Sequence, residues 1–68
     1  MENLEIAKQL QASQICPSQV MTDEMKRTIH YEIRNQGLKG KEYGIAFWLE
    51  FIKFSGIDEA KRILNKEQ

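Results

Sequence analysis

Apolar residues recur along the chain at helical rather than strand spacing. In residues 3–14, Leu4, Ile6, Ala7 and Leu10 fall within about half of a helical wheel, with Glu2, Glu5, Lys8 and Gln9 opposite. This pattern predicts an amphipathic helix that ends before Pro17, because a proline pushes the residue before it, here Cys16, out of the helical region. In residues 22–36, Met25, Ile29 and Ile33 recur every four positions. Thr22 is placed to cap the start of this segment, and Asp23 and Glu24 fall in a first turn where the helix dipole favours anions. Arg34 lies near its end, and Gly37 is placed to close it in the left-handed conformation. A rival pattern overlaps it: Ile29, Tyr31 and Ile33 alternate with Thr28, His30, Glu32 and Arg34, as in a half-buried strand. A lone strand needs a partner and no other segment offers a convincing one, so the start and stop signals decide for helix.

The third segment, residues 39–55, follows the linker Gly37-Leu38-Lys39-Gly40. On a wheel, Glu42, Glu50 and Lys53 define a narrow polar strip around Ala46, and roughly two-thirds of the circumference is apolar or small. Ile45, Leu49 and Ile52 form an aliphatic sector, Tyr43, Phe47, Phe51 and Phe54 an aromatic one, and Trp48 lies between them. Gly56 ends this helix. A fourth, shorter one starts at Ile57 or Asp58 and runs to about Lys66, capped by Ser55 or Asp58, with Ile57, Ala60, Ile63 and Leu64 as its buried stripe. The expected fold is all-α, a small helical bundle of three to four helices, forming a single helical domain over residues 1–68.

Size sharpens the problem. Below about 70–80 residues, one core rarely supplies more than ~3–5 kcal/mol, and this chain has 68. Cys16 is the only cysteine and His30 the only histidine, so no internal disulfide forms and the four ligands of a structural zinc site are not available. We expect no metal and no cofactor. The lone thiol fits a reducing compartment. The start, Met1-Glu2-Asn3-Leu4-Glu5, is acidic where a signal peptide is basic. The longest apolar stretch, residues 43–54, is interrupted by Glu50 and Lys53 and falls short of the ~20 residues that cross a bilayer. The expectation is therefore a cytoplasmic protein with no membrane association.

Enzyme templates mostly fail. Cys16, His30 and Asp23 supply the residue types of a nucleophilic triad, but any chain with one of each passes that test. Gly37-Leu38-Lys39-Gly40-Lys41 lacks the spacing and the Ser/Thr of a phosphate-binding loop. The pairs Asp23/Glu24 and Asp58/Glu59 sit at helix starts, where dipole compensation accounts for them. No catalytic residue is assigned, and the protein is expected not to be an enzyme.

Charge is informative through its distribution. The formal net charge is zero, yet residues 26–41 carry Lys26, Arg27, Arg34, Lys39 and Lys41 against Glu32 alone. Lys26, Arg27, His30 and Arg34 share an arc of about 100° on the second helix, opposite its apolar stripe. This arc, extended by Lys39 and Lys41, suits contact with phosphates or an acidic protein surface, and equally suits a solvated outer face. A standard helix-turn-helix fits poorly, since its recognition helix would be the most apolar in the chain.

Two surfaces therefore compete. In the first, the aromatic residues Tyr43, Phe47, Trp48, Phe51 and Phe54 remain exposed and form a protein interface, making the chain a homodimer or the ligand of a larger protein. Helix packing would otherwise bury them in a central helix. In the second, the basic segment 26–41 binds nucleic acid. The leading expectation is a small non-enzymatic intracellular regulatory or adaptor protein acting by helix-mediated contacts; a nucleic-acid-binding regulator is the alternative. Which surface is exposed discriminates between them.

Overall fold

The computed structural model describes residues 2–67, with side chains described through Lys66. Four α-helices follow in order: α1 (Glu2–Ala12), α2 (Asp23–Ile33), α3 (Gly40–Ser55) and α4 (Ile57–Glu67), with 3-10 turns at Pro17–Gln19 and Arg34–Gln36. Among the described residues there is no strand. The alternating stretch 28–34 is thus helical through Ile33 and then tightens into a 3-10 turn.

Local chemistry sets the boundaries. The Thr22 hydroxyl accepts the Met25 N–H at 3.2 Å, so the cap read from sequence is in place. Gly37 closes the α2 end at φ 72°, the left-handed conformation that glycine adopts without strain. Cys16 is extended (φ −75°, ψ 117°) ahead of Pro17, which opens the first 3-10 turn. Helix α4 starts at Ile57 as expected and runs one residue past Lys66, which makes it as long as α1 and α2 rather than shorter. Gly56, rather than Ser55 or Asp58, stands in front of it: its carbonyl accepts the Ala60 N–H at 3.4 Å, while its own N–H donates to Ile52 at 2.7 Å. One residue therefore serves both helices, and Asp58 and Glu59 fall in the first turn.

The core gathers Ala7 and Leu10 of α1, Ile29 and Ile33 of α2, Phe47, Trp48, Phe51 and Ile52 of α3, and Ala60, Ile63 and Leu64 of α4. Ile15 joins them from the loop after α1, where Gln14 turns the chain at φ 56°. Among the described residues no polar one is buried. Helix α3 touches all three other helices; α1 and α4 also pack on each other, whereas α2 reaches the rest through α3 and the Pro17–Gln19 turn. Trp48 stands edge-on between Phe47 and Phe51, with ring centroids 5.8 and 5.4 Å away. Such aromatic pairs add about 0.5–1.5 kcal/mol each beyond their buried area.

This arrangement corrects the reading of α3. Phe47, Trp48 and Phe51, expected at an exposed interface, are 5%, 3% and 1% exposed. The reason is geometric: α1, α2 and α4 all pack on α3 and together cover these side chains. The Cα radius of gyration is 11.0 Å, against about 11 Å for a well-packed chain of this length. The core thus closes without a second copy.

Candidate functional site

Of the five aromatic side chains of α3, burial leaves two with free surface. Phe54 is 54% exposed at the end of α3, and Tyr43 is half-buried. The Tyr43 hydroxyl meets His30 Nδ1 at 2.6 Å, and the two rings stack with centroids 5.6 Å apart. His30 also lies 5.0 Å from the Phe47 ring. His30 therefore joins the outer face of α2 to the start of α3.

The basic face is exposed. Arg27, His30, Arg34, Lys39 and Lys41 are all exposed, and Lys26 is half-buried. Lys26 donates to the Ser18 hydroxyl and pairs with Asp23 at 3.1 Å, one turn back along α2. Among the described residues, Arg27, Arg34, Lys39 and Lys41 make no ion pair. Lys53, Lys61 and Arg62, by contrast, are paired with Glu50, Glu2 and Glu59. Apart from Lys8 and Lys66, which also lack an ion pair among the described residues, the cations left without acids lie in residues 26–41. The Arg34 guanidinium lies 4.6 Å over the ring of Tyr31, which is 64% exposed.

Beside this face runs a groove that the sequence did not announce. Its cavity is about 250 Å³. Gln11 of α1, Ile15, Pro17 and Ser18 of the following loop, Lys26 and His30 of α2, and Tyr43, Gly44, Phe47 and Trp48 of α3 line it. Gly44 makes room on the α3 side: a Cβ there would collide with the Gln11 side-chain amide. A second, more polar recess of about 380 Å³ adjoins it through Lys26 and His30, and adds Asp23 and Arg27. Apolar floor and basic rim are therefore continuous.

Of the residues singled out from sequence, the structure brings Lys26, Arg27, His30, Tyr43, Phe47 and Trp48 together around these two recesses, and leaves Phe51 and Phe54 apart from them. Arg34, Lys39 and Lys41 line neither. Gln11, Ile15 and Ser18 escaped sequence reasoning, and Pro17 entered it only as the end of the first helix. The glycine inside an otherwise apolar helix was the one local signal of a close approach. Cys16 is exposed and lines neither recess. Among the described residues no three His, Cys, Asp or Glu side chains cluster as metal ligands, and no helix is long and apolar enough to cross a membrane.

No protein-family model matches the chain, and no curated protein or solved structure matches it significantly.

Proposed function

We propose that the chain is a small non-enzymatic regulatory or adaptor protein that docks a larger, acidic protein through the outer face of α2 and the grooves beside it. The observation that carries this reading is the exposed basic face of α2, with Arg27 unpaired among the described residues and Lys26 and His30 at its edge, next to an apolar-floored groove. A face of this mixed character suits a protein partner, because interfaces combine a desolvated apolar centre with a charged rim. Self-association through Phe47, Trp48 and Phe51 is set aside, since those side chains fill the core. Intracellular action belongs to the same proposal.

Capture on immobilised protein from the native cell, followed by mass spectrometry, tests the reading. The captured protein should carry an acidic surface, and charge reversal at Arg27 and Arg34 should abolish its capture. Equal capture by the reversed variant refutes the proposal.

A second reading, a nucleic-acid-binding regulator, draws on the Tyr31–Arg34 stack, since exposed aromatic and guanidinium planes receive unstacked bases. Salt dependence decides it: neutralising any one of Arg27, Arg34, Lys39 or Lys41 that binds a phosphate should lower the slope of log K against log salt by about one.

A further inference from the structure

We infer that the groove between the loop after α1 and helix α3 is an anchor pocket for one large apolar side chain, carried in an acidic linear segment of the partner. The inference rests on the proposed docking role of the α2 face and goes further by naming what is recognised. Volume comes first. At about 250 Å³ the groove has room for one large side chain, and an interface hot spot needs only a well-packed pocket for one anchoring side chain.

The floor is preformed. Ile15, Phe47 and Trp48 are at most 7% exposed and belong to the main core, so the surface on which the anchor would rest is rigid. At the rim, Lys26 is held by Asp23 and Ser18. Arg27 lines the adjoining recess and has no ionic partner among the described residues. A carboxylate flanking the anchor on that side would reach Arg27 in the adjoining recess and share Lys26. Opposite them, the Gln11 amide lies over Gly44. A primary amide both donates and accepts hydrogen bonds, so it matches the backbone of an extended segment.

The test uses three blocked pentapeptides with the whole protein: phenylalanine between two pairs of glutamates, alanine in the same frame, and phenylalanine between two pairs of lysines. Binding is read from amide shifts and from the indole N–H of Trp48, the only tryptophan. The first peptide should shift Gly44 and Trp48, the alanine peptide should bind at least about tenfold more weakly, and the lysine-flanked peptide should bind weakest. Ser18→Phe, at an exposed lining position, should fill the groove and erase the difference between the first two peptides, with its fold verified by circular dichroism. Equal binding of the phenylalanine and alanine peptides overturns the anchor pocket and leaves the docking role of α2 standing. Absence of binding by both glutamate peptides, or preference for the lysine-flanked one, overturns both.

Discussion

The joint between α3 and α4 makes Gly56→Ala a sharp perturbation. Gly56 sits at φ 89°, ψ 153°, a region populated almost only by glycine, where another residue costs about 1–3 kcal/mol. Nothing lies within 4 Å of where its Cβ would be, so no steric term adds to the backbone cost. Its hydrogen bond to Ile52 survives the change, since alanine keeps the N–H. The alanine chain is also less free when unfolded, which offsets about 0.4–1 kcal/mol. The net loss is about 1–2 kcal/mol, a large share of the ~3–5 kcal/mol expected at this size. Urea unfolding followed at 222 nm should show the midpoint falling by about 1–2 M with unchanged slope, at a slope near 1 kcal/mol per M. Gly37→Ala is the internal control. At φ 72°, ψ 16° it enters the milder left-handed helical region, so its net cost should stay below about 1 kcal/mol. If Gly56→Ala shifts the midpoint no further than Gly37→Ala, the strain argument is wrong.

Other expectations follow from burial, capping and charge. Phe51→Ala should cost about 3–5 kcal/mol and leave the chain largely unfolded at 25 °C, whereas Phe54→Ala should cost under about 1 kcal/mol because that ring is half in solvent; calorimetry of both separates core from surface. Thr22→Ala should lose about 1 kcal/mol with the hydroxyl that accepts the Met25 N–H, seen as a lower thermal midpoint. The Arg62 hydrogen bond holds the Glu59 carboxyl below its ordinary value of 4.5. A depressed folded pKa stabilises above the unfolded value, and that contribution is lost as pH falls through the folded one. In Arg62→Ala the Glu59 titration, followed by NMR, should therefore move up toward 4.5.

What sequence could disclose was local. Thr22, Gly37 and Pro17 act on their own neighbours within a turn, and each does in the fold what its chemistry dictates. The buried stripes of α2 and α4 were legible for the same reason, since a period near 3.6 is a property of one helix. The fate of Phe47, Trp48 and Phe51 was not, because it depends on how the other three helices are arranged around α3, which no single stretch of sequence records. Ile15 fills the core from a loop, where no periodicity exists to mark it. The groove was least accessible of all: its walls come from α1, a loop, α2 and α3, and proximity between such distant stretches leaves no trace in any one of them.

Helices α1, α3 and α4 contact one another pairwise, while among the described residues α2 touches only α3 and the two 3-10 turns. The circuit of three therefore stays closed when α2 swings away, and the opening exposes Ile29 and Ile33 together with the part of α3 that α2 covers, Phe47 beside His30 included. Amide exchange should resolve two cooperative units, with the α2 amides released through a partial opening at lower free energy than those of α3. Helix α2, which carries Lys26, Arg27 and His30, is then the element the rest of the molecule holds least firmly, and a partner that seats on it would slow its exchange first.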